Sequence, residues 1–268
     1  MKTTKLFASA LLIAGTTFFS SCSKQEEVAT KNAISTETIA KIQALGFSTH
    51  DVKRDGDSYI VEGDIRLTDR DLAGSYSNGK LLRVGETEQY RTTNLVTVST
   101  TRTIKVAIST SLPTAYVAAL DEAVRRYNAE NLTLKFQRVS TGYNILFTKA
   151  PTNASYLASA GFPSGGNPYS QVLVNSTYMG SNPGTNYLAT ILAHETGHCI
   201  GFRHTDYMDR SYSCGGAYTN EGASTVGAIL IPGTPSSQDP NSWMLACVGT
   251  GVNRPFNSND RTALNYLY

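Results

Sequence analysis

The chain has 268 residues, 40% hydrophobic and 16% charged, which suits one or two cored domains and excludes a disordered or collagen-like protein. Its 23 basic and 21 acidic side chains leave a formal charge of +2, with both signs interspersed. No basic stripe or acidic tail stands out, so no nucleic-acid partner is expected.

Lys2 and Lys5 precede an apolar run over residues 6–19. That run is too short for a typical membrane-spanning helix and right for a signal-peptide core, so residues 1–21 are expected to be a signal peptide. Phe19-Ser20-Ser21-Cys22 resembles the lipobox of bacterial lipoproteins, which implies Cys22 as the lipidated first residue. Phe19 fits that pattern loosely, and cleavage by the ordinary signal peptidase is the competing reading. Several acyl chains on one Cys anchor stably where a single chain is marginal. The polar tether over residues 23–27 resembles that of Bacteroidetes-type lipoproteins. The expected location is the cell envelope, anchored in the outer membrane or at the cell surface, or secreted after trimming.

Beyond the tether, Ile39, Ile42 and Leu45 lie at helical spacing within residues 35–45, and Gly46 is a natural stop. Residues 59–67 read as a strand after the turn-like Asp55-Gly56-Asp57. A polar stretch over 85–94 leads to a second region. There Ile104, Val106 and Ile108 alternate, predicting a half-buried strand over 103–109. Pro113 suits a helix start, with Val117, Leu120, Val124 and Tyr127 on one face. Leu132, Leu134 and Phe136 alternate again, and residues 144–148 give another short strand. A Gly/Pro-rich loop over 161–168 precedes the apolar run 172–174. A helix is predicted over about 186–200, then a long loop over 215–251. A short terminal helix follows, with Ser258 as cap, Asp260 in its first turn, and Ala263, Leu264 and Leu267 facing inward.

Three of the four histidines fall within eleven residues: His194-Glu195-Thr196-Gly197-His198-Cys199-Ile200-Gly201-Phe202-Arg203-His204. His194 and His198 are four apart on the predicted helix, so both imidazoles can reach one metal ion. Glu195 points off their axis, where a general base can stand beside the metal without ligating it. Gly201 allows a left-handed helix end, after which the chain turns and returns His204 as third ligand. Three neutral nitrogens leave a fourth position for water, the open site of a catalytic zinc, and one Zn2+ per chain is expected. Asp206 can orient a ligand histidine, tie down the turn, or stand as a solvated carboxylate.

The HExxHxxGxxH pattern resembles that of the metzincins, zinc endopeptidases with a Met-turn beneath the metal. That resemblance implies Met244, in Ser242-Trp243-Met244, as the turn; Met208 is the weaker candidate. The wider phrasing is similar to the dual-action HEIGH metallopeptidases. The similar segments are Gly46-Phe47, 59–65 (YIVEGDI), 194–206, 231–235 (IPGTP) and 242–247 (SWMLAC). Thr196 stands where that family's name motif has Ile, and Ala246 where some metzincins carry a Tyr.

The resemblance implies an α+β protein. Its metzincin-like catalytic domain would have a twisted mixed sheet, an active-site helix, a Met-turn and a C-terminal helix. The expected organisation is a signal peptide (1–21), a tether and propeptide-like region (22–99) and a zinc peptidase domain (100–268). The expected reaction is hydrolysis of peptide bonds in proteins, with Glu195 as general base. A catalytically inactive lipoprotein that binds peptides or glycans is the alternative. Residues 172–174 are expected near the substrate groove, where a peptide adds to a sheet edge. The partners are a protein or peptide substrate and, through the lipid, a membrane; a monomer is expected. Cys214–Cys247 is the preferred disulfide because it closes the loop around the Met-turn, and Cys199 reads as buried packing. Asp64, beside Gly63, is the candidate latency switch, a carboxylate able to occupy the open zinc position until the propeptide is removed.

Overall fold

The computed structural model describes residues 33–73, 89–222, 227–235 and 238–268. The expected signal segment, Cys22 and the tether lie outside these residues, as does part of the polar stretch over 85–94. Among the described residues no helix is long and apolar enough to cross a membrane.

The N-terminal part opens with α1 (Thr36–Ala44), whose first turn is capped by the Ser35 side chain accepting from the Thr38 amide. The segment predicted as one strand over 59–67 is instead the second half of a three-stranded antiparallel meander. Its strands are β1 (Lys53–Asp55), β2 (Ser58–Val61) and β3 (Ile65–Thr68), followed by α2 (Asp69–Ala73). The chain reverses between β2 and β3 because Glu62 and Gly63 both take positive φ, 55° and 93°. A Cβ on Gly63 would also lie 2.6 Å from the Arg210 guanidinium, which would have to move aside. Ile42, Leu45, Phe47, Tyr59, Val61, Ile65 and Leu67 bury together as a small core of their own.

The larger part is built on a five-stranded sheet. After β4 (Tyr90–Arg91), its strands are β5 (Arg102–Ile108), β6 (Leu134–Arg138), β7 (Ile145–Lys149), β8 (Ala158–Ser159) and β9 (Gln171–Val174). The order is β6-β5-β7-β9-β8, with four parallel strands and β8 antiparallel at one edge. Helix α3 (Ala115–Ala129) follows β5 and packs on α5 (Thr185–Ile200), with the Tyr127 hydroxyl donating to Ala193 O at 2.8 Å. The buried face of α3 is Tyr116, Ala119, Leu120, Ala123 and Tyr127, rotated from the predicted Val117 and Val124, which are only half-buried. Short helices α4 (Ser176–Met179) and α6 (Ser211–Cys214) punctuate the loops. In the long loop, β10 (Ile229–Leu230) pairs with β4. The terminal α7 (Ser258–Leu267) is capped by Asn257, not Ser258. The Asn257 side chain accepts from the Asp260 amide and the Asp260 carboxylate accepts from the Asn257 amide.

Residues 172–174 are not a free edge. Strand β9 lies between β7 and β8, so the sheet ends at 158–160. That edge is already paired, because Arg66 N donates to Ala160 O at 2.7 Å and Ala160 N donates to Asp64 O at 3.1 Å. The turn carrying Asp64 is thus strung along the sheet edge by backbone hydrogen bonds.

Candidate metal centre

Helix α5 is buried from Tyr187 through Ile200, so its histidines are held in a rigid frame. It ends at Gly201, whose φ of 111° suits glycine and whose missing Cβ would lie 2.6 Å from Leu95. The reversal there returns His204 to the histidines of α5. His198 Nε2 lies 3.0 Å from His194 Nε2 and 3.2 Å from His204 Nε2. Asp64 Oδ2 lies 3.2 Å from His204 Nε2 and 3.5 Å from His194 Nε2. All four donor atoms fall within 4.8 Å of one another.

Each imidazole has an acceptor at its other nitrogen. His194 Nδ1 is 2.9 Å from Trp243 O, His198 Nδ1 is 2.9 Å from Phe202 O, and His204 Nδ1 is 3.0 Å from Glu221 Oε1. Those acceptors place the protons on Nδ1 and turn three Nε2 lone pairs towards one point. Lone pairs at this spacing repel unless a cation lies between them. The separations are also close to the ~3.3 Å edge of a tetrahedron with zinc–nitrogen bonds of about 2.0–2.1 Å. Asp64 Oδ1 and Glu195 Oε2 are buried with no hydrogen-bond partner. The donor set therefore fits one zinc ion, held by His194, His198 and His204 with Asp64 beside them.

The electrostatics follow from burial and from two carboxylates. Burial, then the neighbouring His194 and His204, holds His198 well below the usual histidine range, as a neutral ligand requires. Burial also pushes His204 down, but Asp64 and Glu221 outweigh it and raise it well above that range. Asp64 is lowered well below its ordinary value, because the histidines around it overcome its burial. Burial, then the nearby Asp64 charge, raises Glu195. Glu195 lines a cavity of about 320 Å³ together with Asp64, His194, Tyr156 and Trp243.

Met244 is fully buried against α5, and a Cβ on Gly197 would meet its Sδ at 2.5 Å. It packs on α5 at Gly197, one position before the ligand His198. Met208 is half-buried elsewhere, 4.0 Å from the Tyr90 hydroxyl. Met244→Leu is expected to keep the metal and cost under about 1.5 kcal/mol in denaturant unfolding, because volume is conserved and no ligand is lost. A folded Met244→Leu protein without zinc would contradict that.

Asp206 is buried and ties α6 to the loop at Ala246, accepting from Ser213 Oγ at 2.5 Å and from Ala246 N at 2.9 Å. It neither touches a ligand histidine nor faces solvent. The residue that orients His204 is Glu221, which sequence spacing did not mark, since it sits 17 positions on in an irregular loop. Arg203 is also new. It is buried, pairs with Glu62 at 2.7 Å, and lies among the rings of Phe47, Phe162 and Tyr207. Cys214 and Cys247 form a disulfide, and Cys199 is free and buried.

The sequence model of the dual-action HEIGH metallo-peptidases matches residues 60–268. No curated protein matches the chain. Among solved structures, high choriolytic enzyme 1, a hatching-enzyme zinc protease of the medaka fish Oryzias latipes, is 16% identical, with a TM-score of 0.40 over 65% of this chain and 93% of its own. Two structures of myroilysin are each 14% identical. One has a TM-score of 0.40 over 63% of this chain and 82% of its own, the other 0.37 over 70% and 90%. With its match spanning most of the sequence and its three histidines converging on one point, the chain belongs to the dual-action HEIGH metallo-peptidase family and is a zinc metallopeptidase.

Proposed function

We propose that this chain is an endopeptidase made as a latent precursor, with Glu195 as general base and Asp64 as the group that blocks the metal. The observation that carries this is the position of the Asp64 carboxylate, within 3.2–3.5 Å of two ligand histidines. It stands where water or substrate would enter. The backbone around Asp64 pairs with the sheet edge at Ala160 while the chain continues in both directions. A cleft that accommodates a through-running chain suits cleavage within proteins.

Zinc, when bound, lowers the pKa of water from about 15.7 towards 7 and polarises a carbonyl oxygen. Glu195 takes the proton of the attacking water as the new carbon–oxygen bond forms. The same carboxyl delivers that proton to the leaving nitrogen as the carbon–nitrogen bond breaks. His194 and His198 are kept in place by backbone carbonyls, and His204 by Glu221. A scaffold that only bound peptides would have no use for a buried, unpartnered Glu195. In this proposal residues 22–99 act as tether and propeptide before a peptidase domain over 100–268. Residues 1–21 direct export, and Cys22 carries the lipid that holds the protein in the cell envelope.

His204→Ala tests the ligand set. Zinc affinity is expected to fall by more than the ~10–100-fold typical of losing even a supporting partner of a ligand. A His204→Ala protein that keeps stoichiometric zinc and hydrolyses casein would overturn the three-histidine site.

A further inference from the structure

The cavity beside Glu195 is lined partly by the N-terminal region, through Asp51, Lys53, Gly63 and Asp64, and otherwise by residues after position 99. Apart from the ligand His194, that second group carries one acid, Glu195, and two cations, Arg210 and Arg254. Arg210 is matched, with Nε 3.0 Å from Glu221 Oε1. Arg254 has no ion-pair partner among the described residues. The one hydrogen bond of its guanidinium there runs from Nη1 to Cys247 O at 3.2 Å. Arginine carries five N–H donors, so most of its fork is left over.

The carboxylates whose fields reach Arg254 are Asp206, Asp239 and Asp260. Each is engaged elsewhere. Asp206 accepts from Ser213 and Ala246, Asp239 from Asn241, Asn257 and Asn259, and Asp260 from Gln89, Ser242, Trp243 and Asn257. The backbone of Arg254 is pinned to the active-site helix, its N–H donating to Thr190 Oγ1 at 2.9 Å. Thr190 is one turn before His194 on the same face, about 5.4 Å along the axis. Ile191, Leu245 and Val248 supply apolar wall to the same cavity. A half-buried, unmatched guanidinium in such a wall favours a planar carboxylate. The N-terminal region already places two carboxylates, Asp51 and Asp64, along this cavity.

We propose that Arg254 sets substrate choice by binding a carboxylate carried by the residue next to the scissile bond. The substrate class is then proteins cleaved beside Asp or Glu. This rests on the endopeptidase reading above, and the test separates the two. The full chain is loaded with zinc and activated by limited proteolysis on immobilised trypsin. It is then given casein and a set of C-terminally amidated peptides with Asp, Asn or Lys at each position flanking the cleaved bond. At one of those positions kcat/KM is expected to favour Asp over Asn by about 10–100-fold, the range for a hydrogen-bonded charge. Arg254→Gln should abolish that preference, Arg254→Lys should keep only part of it because an ammonium cannot form the planar pair, and Arg254→Glu should shift it towards Lys. An Asn peptide ending one residue past the bond distinguishes the source of the carboxylate. If its free acid is preferred over its amide, and Arg254→Gln removes the preference, the guanidinium reads a chain end and the side-chain assignment is overturned. Casein cleavage with equal rates on Asp and Asn peptides, or an Asp preference unchanged in Arg254→Gln, overturns the proposal alone. No casein cleavage by the wild type overturns the endopeptidase reading and this proposal together.

Discussion

Glu195→Gln is expected to retain one zinc per chain and lose turnover of casein by about 10²–10⁴-fold, the usual range for removing a general base. The carboxylate is 2% exposed and follows directly on His194, so it shares the ligand's helix without sharing its direction. Its Oε2 has no protein partner, which leaves it available to a water proton. Glutamine keeps the volume and one oxygen acceptor but cannot take up the proton. The fold and the metal should therefore survive, which zinc analysis and thermal unfolding will check. Rates near wild type in a zinc-loaded Glu195→Gln protein would place the base elsewhere.

Asp64→Ala in the full chain is expected to hydrolyse casein without trimming, raising activity over the untrimmed wild type by about 10–100-fold, the range for one charged hydrogen-bonding partner. The carboxylate contacts two ligand histidines and has little else, since Oδ1 is unpartnered. The hairpin has further anchors: the backbone pairing to Ala160, and Glu62 at 2.7 Å from Arg203. These anchors keep the hairpin folded in the variant, so a change in activity reports on the carboxylate and not on loss of structure. If Asp64→Ala stays as latent as wild type, while removal of residues up to about 99 activates both, the block is steric and Asp64 is not the switch.

What could be read from the sequence was what is encoded over short distances. The i, i+4 histidines, the glycine that ends their helix and the returning His204 lie within eleven positions, and local helix geometry alone brings them together. Strands β5 and β6 of the main sheet showed their alternation. The hairpin reversal did not, because Glu62 takes positive φ without being glycine. The buried face of α3 was misplaced by one position because Ala119 and Ala123, weak as hydrophobic signals, are the small residues that face inward there. The cap of α7 moved to Asn257, whose side chain reaches two amides where Ser258 reaches none. Strand β8 has two residues, too few for any periodicity, yet it forms one edge of the sheet. Glu221 and Arg203 find their partners only through tertiary contact, with Glu62 141 positions from Arg203.

Removal and return of the metal tests the central claim most directly. Casein hydrolysis by the processed chain is followed before chelation, after zinc is stripped, and after zinc is restored to one equivalent. Activity should disappear with the metal and return with it, because His194, His198 and His204 have no other role that a folded chain without zinc could fulfil. Undiminished hydrolysis by protein shown to contain no metal would contradict the account.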